Sequence, residues 1–342
     1  MLIATAPPRA AHIFSDTSRW LLGGAALLLV SALSLLAGPV ELSAGQVLAG
    51  LLGRADEITN TIVRELRLPR LVLTLSVGAM LGGAGAALQG YLRNPLAEPS
   101  ILGVANAAAL GAVVALYFGF ASAFGLALPL MAAGFALIAT LVLFVFTMFS
   151  ASGLSLILAG IAIGSLAGAG ISLALNLSSN PFAAMEITFW LLGSAEDRSW
   201  RHVWLSLPLI ALCLATLFWD RRALDALTLG EDAARALGYN LALVRMRLIV
   251  SVALGIGAAV SVTGAIGFVG LVAPHLARSV AGNLPSRLLG PSAIAGALLL
   301  TSADVLVRII PTTNELRLGV VTALIGAPFL VAILYRTRRR DA

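Results

Sequence analysis

Apolar runs of about 20 residues recur along this chain, and each is long enough to cross a bilayer as a helix. The clearest are Trp20 to Ala37, Leu71 to Tyr91, Leu126 to Met148, Leu154 to Leu177, Val203 to Trp219, Val244 to Ile266, Gly290 to Ile310 and Leu318 to Leu334. Two shorter segments, about Ile101 to Phe118 and Gly267 to Ala277, are interrupted by glycine or proline. Non-helical backbone at membrane depth is tolerated only against protein or a water-filled cavity, so these two are expected to face a pathway. The reading is an all-α polytopic membrane protein of about ten transmembrane helices, some short or broken, forming one membrane domain over residues 1–342.

Composition closes off the other classes. Only 11% of residues are charged and 59% are apolar, with a mean hydropathy of +0.99. Soluble domains carry about 25% charged residues, so this chain cannot build a wettable surface. An ordinary cytosolic enzyme, a nucleic-acid-binding protein and a disordered segment are all excluded. The first apolar run, at about 18 residues, exceeds the usual signal-peptide core of roughly 7 to 15, and reads as a retained span. Cys213 stands alone, which excludes an intrachain disulfide.

All 22 basic residues are arginine. A classical P-loop needs a lysine to reach the β and γ phosphates, so this chain cannot supply that ATPase site. An even number of spans puts both termini on one side, and the tail Arg336, Arg338, Arg339 and Arg340 marks that side as cytoplasmic. Fourteen arginines then fall inside, against eight outside at 54, 64, 67, 70, 198, 201, 308 and 317. The bias is moderate, and the outer arginines need their own explanation.

Glycines are spaced for helix contact. Gly160, Gly164 and Gly168 recur every four residues, as do Gly78 and Gly82, which lets neighbouring backbones approach closely. Bundle packing is the plainer reading of the first group, and a pathway-lining role is the alternative. A weak internal echo places Gly85-Ala86 ten residues before Pro95 and Gly264-Ala265 ten before Pro274.

The stretch after the second long run is more specific. Arg67-Leu68-Pro69-Arg70 opens that span, Gly82 to Gln89 runs down it, and Arg93-Asn94-Pro95-Leu96-Ala97-Glu98-Pro99 closes it, followed by Ile101-Leu102-Gly103. Later come Leu229-Gly230-Glu231 with Ala234 to Gly238, Gly264 to His275, Ala303-Asp304 and Gly319 to Phe329. With these blocks in this order the chain resembles, over nearly its whole length, the FecCD-type permeases of type II ABC importers. Members of that family carry iron-siderophore complexes, haem or cobalamin.

The resemblance assigns roles to segments that pattern alone leaves open. Between Asp220 and Arg247 (220–247) lies the longest polar interruption, with amphipathic stretches Ala223 to Leu229 and Glu231 to Leu237 separated by Gly230 and ended by Gly238. Pattern alone allows a membrane-surface helix pair. The resemblance implies a coupling element, carried by Leu229, Gly230, Glu231, Ala234, Arg235, Leu237 and Gly238, that docks into a separate ATP-binding subunit. ATP and Mg would then sit on two partner ATPase subunits, while this chain holds no cofactor and no metal.

Outside the membrane, Arg67, Arg70 and Arg308 match arginines that receive acidic knobs of a periplasmic or extracellular substrate-binding protein. For Arg308 the alternative is a pair with Asp304, four residues earlier on the same helix. Arg317 departs from the comparison pattern and would add positive charge to that face. Ser152, Gly153 and Leu154 align with an inner gate, Asn94 and Leu96 with a second constriction, and Gly160 and Gly164 with the pathway. Asn94 could equally cap the following helix. A short outer helix over about Ala183 to Leu192 would act as an outer gate. His275 has no second histidine or cysteine spaced to join it in a metal site, which favours a structural hydrogen bond.

The expected protein is therefore the permease subunit of an ATP-driven importer in the bacterial inner membrane, paired with a second permease copy as a homodimer. Ferric siderophore is the first choice of cargo, with cobalamin or haem next. The rival class is a secondary transporter driven by protons or sodium, which usually holds ionisable residues at the midplane; Asp304 is the main acidic candidate. A membrane-embedded enzyme ranks last, for want of a converging His, Cys or carboxylate cluster.

Overall fold

The computed structural model describes residues 16–120, 124–149, 153–178, 180–310 and 316–341. The described residues form helices and connecting turns without a strand. In chain order the helices are α1 (Asp16–Leu36), α2 (Ala44–Leu51), α3 (Glu57–Thr61), α4 (Leu68–Leu92), α5 (Val104–Tyr117), α6 (Ala127–Phe149), α7 (Gly153–Leu177) and α8 (Pro181–Leu191). There follow α9 (Trp200–Trp219), α10 (Arg221–Thr228), α11 (Glu231–Ala236), α12 (Leu241–Thr263), α13 (Val269–Ala281), α14 (Pro285–Ile309) and α15 (Leu318–Asp341).

Each of the ten apolar runs becomes a helix. Among the described residues six helices are long and apolar enough to cross a membrane by themselves, and the segments Trp20–Leu36, Val104–Tyr117 and Leu318–Ala332 are shorter apolar ones. With 13 residues, α13 reaches only about 20 Å, less than the ~30 Å hydrocarbon core. It is the broken span expected near Gly267.

The second long helix differs from expectation at its outer end. It is continuous over Glu57–Leu92, 36 residues or about 54 Å, because α3 joins α4 through a π turn at Ile62–Arg67. The widened turn lies directly before Pro69, whose missing N–H removes one rung of the regular ladder. Arg67 and Arg70 therefore lie inside a continuous helix rather than just before a span.

This helix is the centre of the bundle, with 83% of its most apolar stretch buried. Its glycines allow backbone contact with α14: a Cβ at Gly78 would stand 2.4 Å from the Gly296 carbonyl oxygen, and one at Gly82 would stand 2.1 Å from that of Ser292. On the other flank, a Cβ at Gly85 would fall 1.8 Å from the Gly270 oxygen of α13. Small residues here substitute for the hydrophobic drive that lipid cannot supply between helices. By contrast α7 and α9 are only 28% buried along their apolar stretches, so they give most of their side chains to lipid or to other subunits.

The ten-residue echo is not a structural repeat. Gly85-Ala86 lies inside α4 with Pro95 in the turn beyond it, whereas Gly264-Ala265 lies in an unwound link and Pro274 is inside α13.

Candidate functional site

Three regions gather the residues singled out by the sequence. At the end of the bundle that bears the polar interruption, α10 and α11 form the expected pair of short helices. Ala223, Leu224, Ala226 and Leu227 are buried, and the Asp225 carboxylate accepts the Ser286 N–H at 2.8 Å. Asp220 takes the Arg247 guanidinium through two bonds of 2.8 and 2.5 Å. The first short helix is thus tied to α12 and to the start of α14.

Gly230 makes the break between the two helices at φ 111°, ψ 157°, and Gly238 ends the second at φ 88°. Both conformations favour glycine. Ala234 is fully buried, while Arg235 bridges Glu231 at 2.7 Å and Asp232 at 2.8 Å, and Glu231 also meets Arg245 at 3.6 Å. Leu229 and Leu237, at either end of α11, are left 72% and 62% exposed.

At the opposite end, Arg67, Arg70 and Arg308 come together around the last turn of α1. Arg67 donates to the carbonyls of Leu35 at 2.7 Å, Leu36 at 3.0 Å, and Val40. Arg308 donates to the carbonyls of Ser34 and Ala37 at 2.8 and 2.9 Å and to the Ser34 hydroxyl at 2.7 Å. A helix C-terminus leaves such carbonyls unpaired and carries partial negative charge; the arginines satisfy both needs. Asp304 sits between Arg70, at 2.8 Å, and Arg308, at 2.7 Å. The local Asp304–Arg308 pair is therefore present, and these cations are structural before they are anything else.

All three arginines nevertheless line one cleft of about 260 Å³, shared with Glu196, Asp197 and Arg198. Sequence reasoning gave Arg198 no role. Burial draws its guanidinium below the ordinary arginine value, and its Nε has no hydrogen-bond partner among the described residues. Only its position between Trp190 and Trp200, beside Glu196 and Asp197, could have signalled it. Arg317 corrects an expectation: it donates to Glu196 at 2.6 Å and stacks over the Phe189 ring at 5.1 Å, so it is a paired charge rather than an added free one.

The third region is the unwound link between α12 and α13, Gly264 to Phe268. Phe268 holds a left-handed backbone at φ 66°, an outlier for an aromatic residue that its surroundings must enforce. Its N–H donates to Glu98 Oε1 at 2.7 Å, joining the turn after α4 to the link. Burial pushes the Glu98 carboxyl up from its ordinary value. Beside the link lies an apolar cavity of about 620 Å³ walled by Leu192, Ala265, Phe268, Val320 and Leu324. The broken segment thus borders an open apolar cavity, whereas the other short segment forms α5, most of whose residues are buried in the bundle.

The gate candidates separate. The Asn94 side chain accepts the Leu96 N–H at 2.9 Å, closing a local turn rather than capping a helix, and both residues are exposed. Gly153 is the first residue of α7 and Leu154 is 66% exposed; Ser152 lies outside the described residues. Gly160 and Gly164 serve packing: a Cβ at Gly160 would stand 2.2 Å from the Ile101 carbonyl oxygen, and one at Gly164 3.3 Å from the Asn106 amide nitrogen. His275 Nδ1 lies 3.4 Å from Arg278, which also donates to Gln89. Among the described residues no three His, Cys, Asp or Glu side chains cluster as a metal site would require.

Comparison with known proteins matches residues 26–336 to the FecCD transport family. The chain is 41% identical over 299 residues to the uncharacterized ABC transporter permease protein YvrB of Bacillus subtilis, covering 86% of this chain and 84% of that one. It is 38% identical over 323 residues to the vitamin B12 import system permease protein BtuC of Salmonella typhimurium, covering 94% and 96%. Among solved structures, an inward-facing conformation of a protein assigned to the metal-chelate type ABC transporters superposes with a TM-score of 0.84 at 30% identity, covering 94% of this chain and 99% of that one.

Proposed function

The chain belongs to the FecCD transport family, and from that membership we propose that it is the membrane-spanning subunit of an ABC importer that moves a metal chelate into the bacterial cytoplasm. It acts as a homodimer in the inner membrane with both termini inside. Two separate subunits bind and hydrolyse ATP, and an outer binding protein delivers the cargo. Ferric siderophore is the preferred cargo, ahead of cobalamin and haem. The chain itself breaks no covalent bond.

The observation that carries this reading is how the 220–247 segment is anchored. Asp220 is locked to Arg247 of α12, and Asp225 to the Ser286 backbone of α14. A partner that grips Leu229 and Leu237 and shifts the segment therefore pulls on two spanning helices at once. α14 is in backbone contact with central α4, so a displacement reaches the middle of the bundle. Close-packed elements of this kind shift between discrete arrangements rather than deforming smoothly.

Cargo passes along the face formed by the unwound link and α15, where the 620 Å³ cavity opens; the family resemblance assigns the constrictions to Asn94, Leu96, Gly153 and Leu154. Apolar walls suit a large chelate handed over by another protein, since tight binding inside would slow release. The outer arginine cleft supports delivery: an acidic side chain of a binding protein would enter beside Arg198, and such charge pairs orient docking more than they add affinity. The ion-gradient alternative loses its main candidate, because Asp304 is fully buried in ion pairs with Arg70 and Arg308.

Cargo is tested by mass spectrometry of the ligand retained by the cognate binding protein. An iron-loaded siderophore supports the preferred reading, and a corrinoid or haem replaces it.

A further inference from the structure

We infer that the surface shared by α1, α13 and α14 is a binding site for one anionic phospholipid, in the leaflet on the side of the coupling segment. Two adjoining cavities make the site. The first is an apolar groove of about 390 Å³ whose walls include Leu22, Leu276, Val280, Ile294 and Leu298. Along α14 it runs from Pro291 to Ser302, about 16 Å of helix rise, close to half of the ~30 Å hydrocarbon core. It is therefore as deep as one leaflet.

The second cavity, about 320 Å³, caps the groove and is lined by Phe218, Arg221, Ser286 and Arg287. Trp20 and Pro291 belong to both. The Trp20 ring lies over Gly290, where an added Cβ would stand 2.4 Å from it. An indole at such a level marks the boundary between acyl chains and headgroups.

Among the described residues neither Arg221 nor Arg287 at this boundary is paired with a carboxylate. Arg221 gives one N–H to the Phe218 carbonyl at 2.9 Å, leaving its other donors outward. The Arg287 side chain is exposed and has no partner among the described residues. Of the neighbouring carboxylates, Asp220 is paired with Arg247 and Asp225 accepts the Ser286 N–H, and neither is bonded to Arg221 or Arg287. An apolar groove at membrane depth accepts an acyl chain and not a cytosolic protein, and two arginines at its mouth require a phosphate on the same molecule. Basic pockets between spanning helices hold anionic headgroups by this chemistry.

The test is native mass spectrometry of the full-length chain in micelles holding equal amounts of dioleoyl-phosphatidylglycerol and dioleoyl-phosphatidylcholine. The expected result is a preference of about thirty-fold for phosphatidylglycerol, the product of two arginine contacts. R221Q/R287Q brings the ratio to near one while retaining total lipid, and A295W, which fills the groove, lowers both lipids. An unchanged ratio in R221Q/R287Q overturns the site, as does unchanged retention in A295W. Loss of the ATPase subunit from R221Q/R287Q with the lipid ratio intact would also overturn it, by assigning the arginines to a protein contact.

Discussion

Asp304 and Arg308, one helical turn apart on α14, form an ion pair of 2.7 Å with side chains 0% and 4% exposed. Arg70 reaches the same carboxylate from α4 at 2.8 Å. Removing one partner of a buried pair leaves an uncompensated charge and costs about 3–5 kcal/mol. D304N is expected to lower thermal stability by that order, and an unchanged unfolding midpoint would show that the cluster does not hold the outer ends of α1, α4 and α14 together.

The same geometry bears on docking. Because Arg67 secures the end of α1 through three carbonyls, R67E/R70E is expected to lower both stability and affinity for the binding protein. The diagnostic quantity is the salt dependence of binding, which flattens when steering charges are lost. Unchanged affinity and slope in the variant would remove these arginines from the docking surface.

Leu237 is exposed, so a change there tests contact with a partner rather than folding, and L237D is expected to leave the permease folded while uncoupling ATP hydrolysis from transport. G230W is expected to uncouple as well, but at φ 111° it also strains the break between α10 and α11, so L237D is the cleaner probe. Pull-down and turnover assays that match wild type would return the segment to a membrane-surface role.

Glu98 gives a pH signature. Burial raises its pKa above the ordinary 4.5, so the folded chain holds this proton more tightly than the unfolded one. The stability it contributes is present below the unfolded value and lost as pH rises through the higher folded one. Thermal unfolding followed from about pH 4 to 8 should show this slope in wild type and lose it in E98Q, which keeps an acceptor for the Phe268 N–H. E98A, which leaves that N–H without its partner, is expected to cost about 1–3 kcal/mol at every pH.

Two helical glycines should respond oppositely. G85A drives a methyl group into the Gly270 carbonyl and is expected to cost about 1–3 kcal/mol by overpacking. Nothing lies within 4 Å of a Cβ at Gly168, so G168A is expected to be neutral or stabilising by up to about 1 kcal/mol. Equal midpoints for the two variants would contradict the close approach of α4 and α13.

Spans were legible because a bilayer demands about 20 apolar residues and tolerates little else; even the broken segment at Gly267 showed through its glycines. The two-helix break at Gly230 was legible for a related reason, since few residues but glycine hold that conformation. What escaped were relations between distant segments. Nothing local to Arg308 reveals that Ser34 and Ala37 supply its acceptors, and nothing local to Phe268 reveals that Glu98 holds it left-handed. The π turn at Ile62–Arg67 was hidden because Pro69 reads equally well as a helix start. Spacing likewise could not tell the packing glycines 160 and 164 from the open Gly168; only the neighbour across the interface decides.

The central claim is that transport draws on ATP hydrolysed by a partner. It is tested by reconstituting the chain with its ATPase and binding protein in vesicles and following uptake of the loaded chelate. Uptake that requires ATP and persists after ionophores collapse the proton and sodium gradients is the predicted result. Uptake abolished by the ionophores while ATP remains, or proceeding without ATP, would contradict it.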